Sequence, residues 1–158
     1  QEKIVASASS EMIVIADTGK YVTKLGKFPL PIEVVPFGAS STKSMIDKLF
    51  LTCGFMNISG IFRQKNGQIF VTDEGNNIID YKLTKIDNVE ELSKKINNLT
   101  GVIEHGIFTN LCTKVIVGKP NGSIYLFSKQ LKTNKFQAID LSEMNRLNKT
   151  IMGIKNEI

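Results

Sequence analysis

The chain has 158 residues, of which 42% are hydrophobic and 22% are charged. This composition is typical of a globular protein and excludes a disordered chain, and the length suits one domain or two small ones. The formal net charge is +5, but residues 129–158 alone hold six Lys or Arg against three Asp or Glu. The remaining residues are nearly neutral, so we expect no nucleic-acid partner.

The cysteines, Cys53 and Cys112, lie far apart in the sequence and form no Cys-x-x-Cys pair. With a single histidine, they do not supply the clustered ligands that a zinc site needs. We expect no metal site, and two reduced thiols in a cytoplasmic protein. The apolar run at residues 12–16 has the length of a strand, so we expect no membrane span. The first residue is Gln, which indicates a piece of a longer protein.

The first predicted elements are a helix over residues 3–8 and a strand over residues 12–16. The strand is a continuous apolar run, which is typical of a strand buried on both faces in a parallel sheet. Gly26, Pro29 and Pro31 then interrupt the pattern. We place a domain crossover there, because Gly and Pro mark turns and boundaries.

The middle of the chain predicts the element order β-α-β-β-β-α-β. In chain order we expect a strand at 32–37, a helix from about 40 to 53, strands at 58–63, 68–72 and 77–81, a helix through about 97 and a strand at 102–108. Ser40, Ser41 and Asn88 are expected to cap the two helices, because short polar side chains accept hydrogen bonds from helix N–H groups. Asn66 and Gly67 predict a tight hairpin. The order resembles a ferredoxin-like split βαβ unit with an extra hairpin.

Two more strands, residues 113–117 and 123–127, are expected to pair around the Lys-Pro-Asn-Gly turn between them. Beyond them, residues 129–158 form a polar tail. Within it, Asp140 and Glu143 have the spacing of a capping box, and apolar residues then recur at three and four positions. We therefore predict an amphipathic tail helix, packed on the body of the protein or on a partner chain.

Six sequence blocks point to one family. In chain order they are Glu2-Lys3-Ile4-Val5-Ala6, Ile15-Ala16-Asp17 with Lys20, Leu25-Gly26-Lys27-Phe28-Pro29-Leu30-Pro31, Val71-Thr72-Asp73-Glu74-Gly75-Asn76, Gly101-Val102-Ile103-Glu104-His105-Gly106-Ile107-Phe108 and Val117-Gly118. Together they resemble the later part of type A ribose-5-phosphate isomerases. The proline-rich block and the Thr-Asp-x-Gly-Asn block are the specific ones. The resemblance runs from Gln1 to about Phe127.

The resemblance implies an α/β fold with two domains. Residues 1–27 and 107–128 would form an incomplete Rossmann-like parallel-sheet domain, and residues 28–106 an inserted ferredoxin-like α+β small domain. Three family motifs are absent, namely Gly-x-Gly-Ser-Thr, Asp-Gly-Ala-Asp and Lys-Gly-Gly-Gly, and all three would precede Gln1. We therefore expect an open apolar sheet edge, and an isolated chain that is poorly stable, associates or is nearly inactive.

The family interconverts ribose 5-phosphate and ribulose 5-phosphate through an enediol(ate), without a metal or other cofactor. By resemblance, Glu2 is the general base and Lys20 binds the substrate phosphate. Asp17 is expected either to hydrogen-bond near the same site or to cap the turn. Gly19 departs from the serine expected there. The family also implies a sugar-phosphate ligand and a homo-oligomer, either a dimer or a tetramer.

The residues themselves leave other interpretations open. Without the resemblance, Glu2 is a solvated glutamate in the first turn of a helix, and Lys20 is an exposed lysine. His105 is expected to be packed or partly exposed rather than catalytic, and the acidic residues Asp73, Glu74 and Asp80 to serve turns rather than a metal. Alternative functions are a non-catalytic sugar-phosphate-binding or effector module, and a remnant retained for its interaction surface.

Overall fold

A computed structural model of the chain describes residues 1–129 and 136–140. The chain divides into two compact units. Unit 2 is the continuous segment Thr23–Thr109, and unit 1 combines Gln1–Val22 with the residues from Asn110 onward. Within the described residues, none of the helices combines the length and apolar character needed to cross a membrane. The predicted tail helix lies outside the described residues.

Three helices and ten strands are formed by the described residues. The helices are α1 (Glu2–Ala8), α2 (Ala39–Thr52) and α3 (Val89–Asn97). The strands are β1 (Ile13–Asp17), β2 (Leu30–Val34), β3 (Ile61–Phe62), β4 (Gln64–Lys65), β5 (Gln68–Ile69), β6 (Asn77–Tyr81), β7 (Val102–His105), β8 (Lys114–Gly118), β9 (Ile124–Lys129) and β10 (Phe136–Asp140). The protein is therefore a mixed α/β structure.

Unit 1 contains a mixed sheet with the strand order β1-β8-β9-β10. β1 runs parallel to β8, with Ile13 opposite Lys114 and Asp17 opposite Gly118. β8 and β9 form the predicted antiparallel pair, and β10 extends the sheet antiparallel to β9. The sequence pattern did not predict β10.

The expected burial of β1 on both faces is wrong for the described part of the chain. Ile13 is 47% exposed and Ile15 is 77% exposed, whereas Val14 and Ala16 are half-buried. The physical reason is that the described residues do not cover the face to which Ile13 and Ile15 both point. An apolar run shows that a strand can be buried on both faces, but a covering element must also be present.

Unit 2 contains a four-stranded antiparallel sheet with the order β3-β6-β2-β7. A short β4–β5 hairpin follows β3, with Asn66 and Gly67 at φ values of 55° and 78°, as the Asn-Gly pair predicts. α3 begins after Asn88, whose Oδ1 accepts a hydrogen bond from Glu91 N at 3.1 Å. The predicted cap of α3 and the predicted strand at residues 77–81 are therefore confirmed.

The predicted serine cap of α2 is wrong. α2 begins at Ala39, and its N-cap is Gly38 in the left-handed conformation (φ 71°), with no side-chain cap bond. The Gly38 carbonyl accepts from Thr42 N at 3.0 Å, so Ser40 and Ser41 already lie inside the first turn. A glycine reaches positive φ at little cost, which moves the helix start ahead of the serines.

The strand expected at residues 32–37 instead begins at Leu30, so it includes Pro31. Proline is unusual in an inner strand because it has no N–H to donate. Here the Pro31 carbonyl accepts from Gly106 N at 2.9 Å, so the backbone polar groups of Pro31 face β7. In an antiparallel ladder the backbone N–H and C=O groups of successive residues point to alternate sides, so those of Leu30 and Ile32 point toward β6. β7 itself ends at His105. The N–H group that Pro31 lacks would not have pointed toward β6, so the pairing of β2 with β6 loses no hydrogen bond.

The core of unit 2 contains one tyrosine whose hydroxyl is hydrogen-bonded to an aspartate. Tyr81 is fully buried and packs edge-on against Phe50, with ring centroids 4.7 Å apart. Its hydroxyl donates to Asp47 Oδ1 at 2.9 Å, and Asp47 also accepts from Lys43 Nζ at 2.8 Å and Gly60 N at 3.2 Å. A Cβ on Gly60 would overlap the Tyr81 ring, so only glycine allows this approach. Burial, followed by the hydrogen bond to Asp47, raises the pKa of Tyr81.

We predict that Asp47 contributes stability that acid removes. Partial burial by itself would raise the pKa of Asp47, but hydrogen bonds from Lys43, Gly60 and Tyr81 outweigh it and hold the pKa below 3.8. The contribution is therefore complete above about pH 4 and is lost as the pH falls through the lower, folded-state pKa. Asp47→Asn should lower the free energy of unfolding by about 1–2 kcal/mol at pH 7.

Denaturant unfolding at pH 7 and at pH 3 checks this prediction. The difference in free energy of unfolding between wild type and Asp47→Asn should be smaller at pH 3 than at pH 7. Asp73→Asn, which changes an exposed turn carboxylate, is the matched control and should change little at either pH. An Asp47→Asn effect of equal size at both pH values would contradict the prediction.

Candidate active site

Glu2 is the first residue of α1, a helix with no buried residues. Its side chain is 87% exposed. A carboxylate in the first turn of a helix is stabilised by the helix dipole, so the local structure explains this residue without chemistry. A general base that works near neutral pH usually needs burial to raise its pKa. The described residues do not bury Glu2.

Asp17 ends β1 and organises the turn that follows. Its Oδ1 accepts hydrogen bonds from Gly19 N at 2.8 Å and from Lys20 N at 3.1 Å. Of the two roles expected for Asp17, the geometry supports the cap of the turn. A Cβ on Gly19 would lie 3.0 Å from that Oδ1, so the glycine found in place of the expected serine leaves room for the carboxylate.

Lys20 follows this turn, beyond the carboxyl end of a strand in parallel pairing. Its side chain is exposed. Carboxyl ends of parallel strands are common ligand sites, and an ammonium group there can bind a phosphate as a point charge. Lys20 is therefore in a position suited to the binding of an anion.

The neighbouring Tyr21 stacks on Phe127 of β9, with ring centroids 5.3 Å apart and ring planes at 18°. This contact connects the segment that carries Lys20 to the sheet of unit 1. The sequence does not predict this pair, because no local pattern connects two aromatic residues so far apart in the chain. Stacked rings contribute roughly 0.5–1.5 kcal/mol beyond their burial.

His105 is packed, which is one of the two environments expected for it. It is 3% exposed, and its Nδ1 accepts a hydrogen bond from Ile107 N at 3.1 Å. That bond leaves the proton of the neutral ring on Nε2, which lies 3.2 Å from Ser93 Oγ. The imidazole therefore joins β7 to α3 inside unit 2.

The turn role expected for Asp80 is wrong, because Asp80 lies inside β6. Asp80 pairs with Arg63 through two bonds, from Nε at 2.9 Å and from Nη2 at 2.6 Å, and this pairing raises the pKa of Arg63. Asp73 lies in an exposed turn. Across residues 1–129 and 136–140, the structure brings no three His, Cys, Asp or Glu side chains together as a metal site.

Clefts of about 450 and 550 Å³ lie in unit 2, and the sequence did not predict them. The smaller one has Lys85 and Asp87 in its lining, and the larger one has Arg63 and Asp80. Both clefts carry charges of both signs that already pair with each other. Neither cleft includes Glu2 or Lys20.

Comparison with known proteins gives one consistent result. The family model described as ribose 5-phosphate isomerase A (phosphoriboisomerase A) matches residues 1–122. The ribose-5-phosphate isomerase A of Ruegeria pomeroyi is 39% identical over 93% of this chain and 56% of its own length. That of Dinoroseobacter shibae is 45% identical over 80% of this chain and 48% of its own.

Solved structures agree with the sequence comparisons. The chain resembles the ribose 5-phosphate isomerase from Plasmodium falciparum with a TM-score of 0.74 and 34% identity, over 82% of this chain and 55% of that one. For the enzyme from Methanocaldococcus jannaschii the TM-score is 0.66 at 34% identity, over 88% and 53%. The chain thus spans about half the length of the relatives it matches.

We predict that removal of the Asp17 carboxylate loosens the turn that carries Lys20. Asp17→Ala should speed amide hydrogen exchange at Gly19 and Lys20 roughly fivefold, because each lost bond is worth about 1 kcal/mol. Asp17→Asn is the matched control, since its side-chain oxygen can still accept both bonds. Exchange measured residue by residue in the two variants decides the question, and equal rates in wild type and Asp17→Ala would contradict it.

Proposed function

This chain belongs to the ribose 5-phosphate isomerase A family, and from that membership we propose that it serves in the interconversion of ribose 5-phosphate and ribulose 5-phosphate. The family match over residues 1–122 is the observation that carries the proposal. Since the chain spans about half the length of its relatives, we assign the activity to it in combination with the rest of the family fold.

In the proposed reaction, a base removes the proton from C2 of the aldose while the C1 carbonyl oxygen gains one. The resulting enediol(ate) loses the proton of its 2-hydroxyl, and the base returns a proton to C1. We assign the base to Glu2. Its 87% exposure means that desolvation has to come from bound substrate and from groups outside the described residues.

Lys20 is the proposed phosphate ligand. Its place beyond the carboxyl end of β1 supports this role, because ligands commonly bind at that end of parallel strands. In addition, the backbone N–H of Lys20 is hydrogen-bonded to Asp17, which holds the turn that carries the ammonium group. The stack of Tyr21 on Phe127 further restricts the segment. A positioned charge binds a phosphate better than a mobile one, since less freedom is lost on binding.

The domain organisation belongs to the same proposal. Residues 1–27 and 107–128 would be the remainder of a Rossmann-like catalytic domain, which the parallel β1–β8 pair supports. Residues 28–106 would be a ferredoxin-like α+β insertion, which the order β3-β6-β2-β7 with two intervening helices supports. We further propose a cytoplasmic, homo-oligomeric protein of the pentose phosphate pathway.

The exposure of Glu2 favours a second candidate function. A chain that binds a sugar phosphate through Lys20 without turnover would need no desolvated base. This alternative predicts calorimetric binding of ribose 5-phosphate by a completed chain that forms no ribulose 5-phosphate.

We expect Glu2→Gln to abolish turnover, because an amide cannot accept and return the proton. The assay measures ribulose 5-phosphate formation by a chimera that joins the unmatched part of the Ruegeria pomeroyi relative to this chain. The loss should be about 10²–10⁴-fold in kcat, with ribose 5-phosphate binding retained. Asp73→Asn removes a carboxylate from an exposed turn of unit 2 and serves as the control. Unchanged turnover in Glu2→Gln would sink the assignment of the base.

We expect Lys20→Gln to raise KM for ribose 5-phosphate roughly 10- to 100-fold, since a hydrogen bond to a charged group contributes about 1.5–3 kcal/mol. The same chimera should also bind inorganic phosphate more weakly. Lys48→Gln, which changes an exposed lysine of α2 in unit 2, should leave both values unchanged. A KM equal to that of the wild type would remove Lys20 from the phosphate site.

A further inference from the structure

Two lysines of unit 1 lie at the same end of its sheet. Asp17 at the end of β1 is paired with Gly118 at the end of β8, and the two strands are parallel. Lys119 therefore follows β8 where the turn that carries Lys20 follows β1. That turn is tight, since Lys20 N donates to the Asp17 carbonyl at 3.2 Å. Strand spacing and turn geometry then place the Cα atoms of Lys20 and Lys119 at most about 16 Å apart.

The aromatic side chains of β9 bring both segments to one face of this sheet. Tyr125 and Phe127 are two residues apart in the strand, so they point to the same face. The Lys119 ammonium lies 4.4 Å from the centre of the Tyr125 ring and donates to the Tyr125 hydroxyl oxygen at 3.3 Å. Tyr21 stacks on Phe127. Lys119 and the residue that follows Lys20 therefore lie on the same face.

Neither of these two ammonium groups is paired with a carboxylate among residues 1–129 and 136–140. The Asp17 carboxylate accepts from backbone N–H groups of its own turn instead. Lys114, at the other end of β8, differs in this respect, because its Nζ pairs with Glu11 at 2.6 Å. A contact with an aromatic ring orients an ammonium group but adds no negative charge. Two positive charges at the carboxyl ends of parallel strands favour the binding of an anion.

We propose that Lys119 is a second phosphate ligand, which binds the same phosphate group as Lys20. A phosphate monoester carries about two negative charges and three terminal oxygens at neutral pH, so two ammonium groups bind different oxygens of one group. Lys119 contacts the phosphate equally in the substrate and in the enediol(ate), so it contributes to binding and not to proton transfer. The proposal rests on the proposed function for the identity of the ligand, a sugar phosphate.

The hairpin between β8 and β9 holds Lys119 in place for this contact. Lys119 N donates to the Ser123 carbonyl at 2.9 Å, and Gly122 N donates to the Lys119 carbonyl at 3.0 Å. Asn121 Oδ1 accepts from Ser123 N at 3.1 Å, which fixes the turn between the two strands. Tyr125 is a positioning residue, because its ring restricts the exposed Lys119 ammonium and less freedom is then lost when phosphate binds.

Titration of the 158-residue chain with inorganic phosphate tests the proposal. At constant ionic strength, set with chloride, we expect phosphate to shift the backbone amide NMR signals of Gly19, Lys20 and Lys119. Lys119→Gln should weaken this binding roughly fivefold, less than Lys20→Gln, because solvent screens an exposed charge. Lys119→Arg keeps the positive charge and should retain the affinity. Lys65→Gln is the comparison variant, since the exposed Lys65 also precedes an Asn-Gly turn but lies in unit 2.

Kinetics of the chimera give a second measurement. Lys119→Gln should raise KM for ribose 5-phosphate roughly fivefold with little change in kcat, since uniform binding is lost. Tyr125→Leu should raise KM roughly twofold, whereas Tyr125→Phe keeps the ring under the ammonium and should not. A role of Lys119 in the hairpin alone would lower the melting temperature and leave KM unchanged.

Four results would overturn the proposal. These are absence of phosphate-dependent shifts in the wild-type chain, an affinity of Lys119→Gln equal to that of the wild type, equal losses in Lys119→Gln and Lys65→Gln, and a fall in kcat without a rise in KM.

Failure of the proposed function is a separate outcome. A chimera that forms no ribulose 5-phosphate, while phosphate affinity still depends on Lys119, would reject the isomerase activity and support the second phosphate ligand. Turnover with a KM that does not depend on Lys119 would support the activity and reject the second ligand.

Discussion

The parallel pairing of β1 with β8 is the constraint on which unit 1 depends. It joins segments 101 positions apart, where Met12 N and the Thr113 hydroxyl are hydrogen-bonded at 3.1 Å. Parallel strands need a long connection, and here that connection contains the whole of unit 2. The pairing also fixes the direction of β1, and with it the place of the turn formed by Asp17 and Lys20.

The two units differ in how much apolar surface their described residues bury. Unit 2 closes its sheet with two helices, and Tyr81 and Asp47 satisfy each other inside it. In unit 1, residues 1–22 and 110–129 bury little apolar surface. Hydrophobic burial is the main favourable term in folding, so these residues supply less of that stabilisation than the core of unit 2 does.

The two candidate site residues, Lys20 and Glu2, differ in how far the described residues position them. Lys20 stands on a turn that unit 1 organises by itself, through the Asp17 carboxylate and the Tyr21–Phe127 stack. Glu2 has no comparable surroundings, and its exposed carboxylate lacks the desolvation that a base requires.

The sequence by itself determined the features that depend on neighbours in the chain. Asn88 caps α3, Asn66-Gly67 forms its hairpin, and β6 spans its predicted residues, because the bonds involved lie within a few residues. The family blocks also located Glu2 and Lys20 as candidates. Each of these signals is carried by residues that are close together in the chain, so each can be identified from the sequence.

Only the tertiary structure decided the rest. The left-handed conformation of Gly38 starts α2 ahead of Ser40 and Ser41. Pro31 is tolerated in an inner strand because β7 ends beside it. The exposure of Ile15 and the stack of Tyr21 on Phe127 depend on what lies across the sheet. An apolar pattern states which side chains can be buried, whereas their burial requires a partner surface that distant segments must supply.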